Sequence, residues 1–132
     1  MDVRASAGPG SVAEHVIEEI AYWEFPEAYV RYDFRARPEN LRVVTVDGDS
    51  MEPELMSGDR VIIDISRRGG APPGIYVMWD GYGVIVKRIE YILNSDPPKI
   101  LVTSTNKRYG SYERNVDDVN TIGRVIWYAR RV

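Results

Sequence analysis

The stretch GDSMEPELMSGDRVIID, Gly48 to Asp64, decides how the rest of the chain is read. It follows the β-branched run LRVVTV, Leu41 to Val46, at an Asp47-Gly48 break, and it ends inside a second such run, RVIIDI, Arg60 to Ile65. β-branched side chains pack well on a pleated surface, so both runs are predicted strands. Between them Ser50 stands before a short helical stretch predicted to begin near Pro53, because proline suits a first helical turn. Ser50 is thereby placed near a helix N-terminus, whose outward backbone N–H groups favour negative charge and could form an oxyanion hole. The same position also suits a plain cap, in which the hydroxyl only accepts a local N–H.

Downstream, IYVMWD (Ile75–Asp80) and YGVIVKRIEYI (Tyr82–Ile92) flank Asp80-Gly81, a tight-turn dipeptide, and are predicted to form a hairpin. In a strand side chains alternate, so Lys87 shares a face with Ile85 and Ile89 while Val84 and Val86 take the other. Both faces are largely apolar, which predicts an interior strand. A lysine held there loses hydration, and desolvation disfavours the ammonium form, leaving an amine able to accept a serine proton. The alternative is a lysine whose stem lies on apolar surface and whose amine reaches water. Asn94 to Pro98 reads as a turn. Ile100–Ser104 and Thr121–Tyr128 read as further strands, separated by a polar loop holding Asn106, Arg108, Tyr109 and Tyr112.

Upstream, Val3 to Ser11 is predicted extended or loop-like, and Ala13 to Glu24 fits helix and strand alike. Phe25-Pro26 breaks the pattern, and Glu27 to Phe34 is predicted as a helical turn or short helix anchored by its aromatics. No internal repeat or low-complexity tract is present.

The 132 residues, 44% hydrophobic, are enough for one core and one domain. Net charge is −3 and the sequence pI about 5.2, so no overall basic field would hold this segment on nucleic acid. Cysteine is absent, which removes disulfides, thiolate metal sites and thiol catalysis together. No apolar stretch has the length of a membrane span, and MDVRASAGPG lacks the apolar core of a signal peptide. A cytoplasmic setting is expected, with no metal and no cofactor.

The segment GDSMEPELMSGD resembles the nucleophile segment of the Ser/Lys peptidase domain at the C-terminus of LexA-type and lambdoid phage repressors. VKRI, at Val86 to Ile89, resembles their lysine strand, with Ser50 and Lys87 separated by 37 residues. ASAGPG, at Ala5 to Gly10, resembles their Ala-Gly self-cleavage segment, and IGRVIW, at Ile122 to Trp127, their closing strand. The resemblance implies a mainly β, LexA/signal-peptidase-like fold of twisted antiparallel sheets with one or two short helices. Residues 1–12 would be a linker arm and residues 13–132 the peptidase-like dimerisation domain.

The resemblance further implies that Lys87 deprotonates Ser50, which attacks the Ala7-Gly8 bond, with the backbone N–H groups of Asp49 and Ser50 as oxyanion donors. Met51 and Pro53 would shape the turn and its pocket. His15 has no part in such a dyad, and Asp59 and Asp64 are expected to be structural. Met1 stands seven residues before Gly8, so a fragment beginning at the linker is expected, lacking a helix-turn-helix domain that binds operator DNA. Implied partners are a second copy of the chain and an activating protein such as a recombinase filament. Cutting the linker would uncouple the DNA-binding domains and end repression. Two other readings stay open: the same scaffold as a non-cleaving dimerisation or sensing module, and a signal-peptidase-like enzyme, which the absent membrane anchor disfavours.

Overall fold

The computed structural model describes residues 2–6, 23–68 and 73–132. Eight strands form one sheet: β1 Asp2–Ser6, β2 Leu41–Asp47, β3 Arg60–Asp64, β4 Gly74–Trp79, β5 Val84–Ile92, β6 Lys99–Thr103, β7 Tyr112–Asn115 and β8 Asn120–Ala129. Their order across the sheet is β1-β2-β3-β8-β4-β5-β6-β7, and β2 through β8 pair antiparallel throughout. β1 runs parallel to β2 and also meets β5, where Ser6 is registered against Ile85. Six strands thereby close on themselves, with β6 and β7 continuing beyond β5. The mainly β expectation holds.

Closure puts apolar side chains on both faces of the central strands. Val44, Val46, Met51, Leu55, Val61, Ile63, Val77, Val84 and Val86 form one buried cluster. Tyr76, Met78, Ile85, Ile89, Ile100 and Val102 form a second on the opposite face of β4 and β5, beneath β6. The alternation read from VIVKRI therefore resolves as expected: Val84 and Val86 enter one core, and Ile85 and Ile89 the other. A third cluster, around Val30, Phe34, Val43 and Ile62, gathers Trp23, Phe25 and Trp127. There Phe25 meets Phe34 and Trp127 edge-to-face, at centroid distances of 5.2 and 5.5 Å, the geometry that ring quadrupoles favour. The helical turn expected before β2 is present as a turn of π-helix, Tyr29–Phe34, anchored by Phe34.

The β4–β5 hairpin is tight because Asp80 accepts the N–H groups of Tyr82 and Gly83 at 2.8 Å each, while Gly81 takes a φ of +98°.

Two expectations differ from the structure. The helix predicted from Pro53 is a single turn: Glu52 N–H donates to the Asp49 carbonyl and Leu55 N–H to that of Met51. The chain must then return at once, because Gly58 N–H donates to Val46 and Val46 N–H to Asp59, so β2 and β3 can pair. Gly58, at φ +93°, makes that return. Little more than one turn fits between those two bonds. The second difference is β7, which lies within the stretch read as a polar loop and pairs with β6 at the sheet edge. Ala13–Glu24, read as open between helix and strand, falls mostly outside the described residues.

Candidate active site

Ser50 sits in the turn after β2, and Lys87 in the middle of β5, two neighbours of β1 in the closed sheet. Their side chains meet: Lys87 Nζ lies 3.0 Å from Ser50 Oγ. Both residues are buried, Ser50 at 0% and Lys87 at 1% exposure. A second hydroxyl, Ser104 just past β6, accepts from Nζ at 2.7 Å, and the Tyr109 ring centroid stands 5.7 Å from the same nitrogen.

Burial pushes the Lys87 ammonium down from 10.5 to about 8, with Asp80 pulling weakly the other way. Among the described residues the amine meets the Ser50 and Ser104 hydroxyls and the Tyr109 ring. A sizeable neutral fraction at mildly alkaline pH follows, and a neutral amine has a lone pair for the Ser50 proton. A cavity of about 210 Å³ lies beside Lys87, with Met78, Ile85 and Val119 among its apolar lining and Asp80 and Asp118 among its charged groups. The larger groove, about 950 Å³ and lined in part by Arg31, Arg35, Arg37 and Arg67, touches neither Ser50 nor Lys87.

The turn that carries Ser50 is tied to its surroundings. Met51, at 0% exposure, roots it in the first core, while Pro53 is exposed at its crest. Glu54 pairs with Arg88 of β5 at 2.6 Å and accepts from Thr105 Oγ1 at 2.9 Å. Burial opposes ionisation of Glu54, yet Arg88 and Thr105 outweigh it and lower its pKa. Asn106 donates its side-chain amide to the Asp49 carbonyl at 3.1 Å and its backbone N–H to the Ser50 carbonyl at 2.8 Å. Tyr109 donates its hydroxyl to the Asp49 carboxylate. That bond, more than burial, raises the phenol's pKa, so it stays a donor in alkali. Among the described residues, neither the Asp49 nor the Ser50 backbone N–H has an acceptor.

Asp59 and Asp64 do not form a carboxylate pair; each has its own partners. Asp59 accepts Arg130 Nη2 at 2.7 Å and the Met56 N–H at 2.8 Å, and Asp64 accepts Ser66 Oγ at 2.6 Å and faces Arg67 Nε at 3.2 Å. Ala7, Gly8 and His15 lie outside the described residues. The strand that leads to Ala7 ends at Ser6, registered against Asp47 of β2 and Ile85 of β5, three residues before Ser50 and two before Lys87. Sequence reasoning missed Ser104, Asn106 and Tyr109 as members of the site. Their signal was a run of hydrogen-bonding residues in a loop directly after a strand, which without tertiary contacts reads as solvated.

No group of three or more potential metal ligands occurs among the described residues, and no helix there is long and apolar enough to cross a membrane.

Comparison with known proteins agrees with this geometry. The chain is 39% identical over 111 residues to the 26 kDa repressor protein of Escherichia phage HK022, covering 83% of this chain and 46% of that protein. It is 34% identical over 82 residues to repressor protein CI of Enterobacteria phage phi80, covering 62% of this chain and 34% of that one. The chain thus spans less than half the length of these relatives. The Peptidase S24-like family model matches residues 1–126, most of the chain: the chain belongs to the Peptidase S24-like family.

Proposed function

We propose that this chain is the dimerising, self-cleaving domain of a phage-type transcriptional repressor, with Ser50 and Lys87 as a dyad that cuts the Ala7-Gly8 bond. The observation that carries the reading is the 3.0 Å approach of Lys87 Nζ to Ser50 Oγ in a site buried enough to bring the amine to about 8. In the proposed reaction neutral Lys87 takes the Ser50 proton as Oγ attacks the Ala7 carbonyl carbon. The backbone N–H groups of Asp49 and Ser50 bind the resulting oxyanion. The intermediate collapses by breaking the C–N bond, and the Gly8 nitrogen leaves with the proton from Lys87. Water, deprotonated by the same amine, then attacks the Ser50 ester; the acyl–Oγ bond breaks as Lys87 returns its proton to Ser50 Oγ, and the Ala7 acid ionises to the carboxylate. Ser104, hydrogen-bonded to Nζ, aims the lysine lone pair at Ser50.

Two further observations support the target. β1 delivers the chain toward the residues flanking Ser50 and Lys87, and the two relatives are both named as phage repressors. On this reading a helix-turn-helix domain preceding the chain binds operator DNA, the present domain pairs with a second copy, and an activating protein such as a recombinase filament promotes the cut in the cytoplasm.

The test is intact-mass spectrometry of the purified chain over time between pH 7 and 10. A cut between Ala7 and Gly8 that is lost in Ser50→Ala and in Lys87→Ala is the expected result. A wild-type chain that remains whole throughout would favour the non-cleaving assembly module, and a cut that survives either substitution would refute the dyad.

A further inference from the structure

The polar stretch after β6 was left without a role by the sequence, yet it makes three separate bonds to the two residues that hold the nucleophile. Ser50 is flanked by two peptide groups. The first joins the Asp49 carbonyl to the Ser50 N–H, and the second joins the Ser50 carbonyl to the Met51 N–H. A peptide group is planar and trans, so its C=O and N–H point in opposite directions and fixing one end aims the other. Asn106 holds both groups by their carbonyls, through its side-chain amide at 3.1 Å on Asp49 and its own backbone N–H at 2.8 Å on Ser50. Tyr109 holds the Asp49 side chain as well.

We infer that Asn106 is a positioning residue for self-cleavage: by gripping the carbonyls on either side of Ser50 it aims the Ser50 N–H at the place where the oxyanion forms, with Tyr109 as its support through Asp49.

The stretch is suited to this task because it also touches the other half of the dyad. Ser104, two residues earlier, bonds Lys87 Nζ, and Thr105 bonds Glu54 at the far end of the turn. Residues 104–109 therefore bridge lysine strand and serine turn, elements more than thirty residues apart in sequence. Asn106 is itself held, because its Oδ1 accepts the Arg108 N–H at 3.1 Å, which leaves Nδ2 directed at Asp49. An oxyanion donor is effective only when it is in place before charge develops, so a grip on the peptide plane acts on rate even though Asn106 touches no reacting atom.

The inference rests on the dyad reading above, and the experiment separates the two. Asn106→Asp keeps an acceptor for the Arg108 N–H and the backbone N–H to Ser50 but sets an oxygen against the Asp49 carbonyl. Its cleavage rate is compared with wild type on the alkaline plateau, where Lys87 is neutral in both and the added charge does not enter through the lysine. A fall of about tenfold to a hundredfold is expected, below the loss seen when a direct oxyanion donor is removed. In parallel, backbone ¹⁵N relaxation of Asp49, Ser50 and Met51 reads the grip without any cleavage, with order parameters expected to drop from about 0.85 toward about 0.6 in the variant. Tyr109→Phe, which keeps the ring beside Lys87, serves if Asn106→Asp does not fold, with a severalfold fall and a looser Asp49 expected. Wild-type plateau rates with unchanged amides in these variants would overturn the inference. Amides that loosen in a protein whose wild type never cleaves would strike the dyad reading and overturn the role in cleavage with it, upholding only the grip of Asn106 on the serine turn.

Discussion

Asp59, at 2% exposure, and Lys87, at 1%, are both buried almost completely, and their surroundings are opposite in kind. Around Asp59, burial alone would raise the carboxyl, but the Arg130 guanidinium and the Met56 N–H outweigh it and hold the pKa low. The described neighbours of Lys87 include two hydroxyls and a ring, Asp80 favours the ammonium, and burial wins. One site is built so that the ion persists, the other so that it is lost. A buried ion whose partners outweigh its desolvation is a structural device, whereas one whose desolvation prevails is available as a reagent.

The largest break in that comparison is Lys87→Arg, which keeps a cation in the pocket that cannot become neutral. Self-cleavage is expected to fall by about a thousandfold or more, read by mass spectrometry at pH 9. Asp59→Ala removes the acceptor for Arg130 and the Met56 N–H and is expected to cost about 2 kcal/mol in urea unfolding, while leaving the pH at which cleavage rises unchanged. Lys87→Met acts in the opposite direction, relieving a desolvated ammonium and stabilising the fold at pH 7 by about 2 kcal/mol after allowing for residual solvent screening.

For both groups stability rises with pH, but over different windows. Asp59 titrates lower in the folded chain than unfolded, so its contribution is present above its unfolded value near 4 and is lost as pH falls through the folded one. Lys87 titrates near 8 folded against about 10.5 unfolded, so the unfolded chain binds more protons between these values and stability from this group rises across that window. Lys87→Met should abolish that alkaline rise and leave the acid limb intact. The cleavage rate should climb about tenfold per pH unit below 8 and level off above it. Ser104→Ala should slow cleavage by about tenfold, because the amine loses one of the two hydroxyls that aim it. Glu54→Gln, at a half-exposed pair with Arg88, should change stability by less than about 1 kcal/mol.

Much of the fold was legible in local pattern. The β-branched runs at Leu41, Arg60, Ile75, Val84, Ile100 and Thr121 all became strands, because each is apolar enough to be buried wherever it pairs. β7, YERN, escaped notice because it is polar and partly exposed, a strand through its edge pairing with β6. The helix at Pro53 failed for a complementary reason: local preference for a helical start was overridden by the bonds that return Gly58 and Asp59 to Val46. For the candidate site, Ser50 and Lys87 each suit an ordinary role when taken alone, and it was their spacing and the resemblance of their segments to a Ser/Lys peptidase domain that singled them out. Ser104, Asn106 and Tyr109 did not stand out, since serine, asparagine and tyrosine in a loop are ordinary until their partners are known.

By itself, then, the chain determined most of its strands and the two faces of β5, because alternation and β-branching act over a few residues and need no distant partner. Tertiary structure alone decided that Lys87 is buried to its amine, that Nζ comes within 3.0 Å of Ser50 Oγ and bonds Ser104 as well, and that Asn106 reaches back to the serine turn. Those contacts join residues 17 to 57 positions apart, and closure of the sheet, a property of all its strands together, sets their distances.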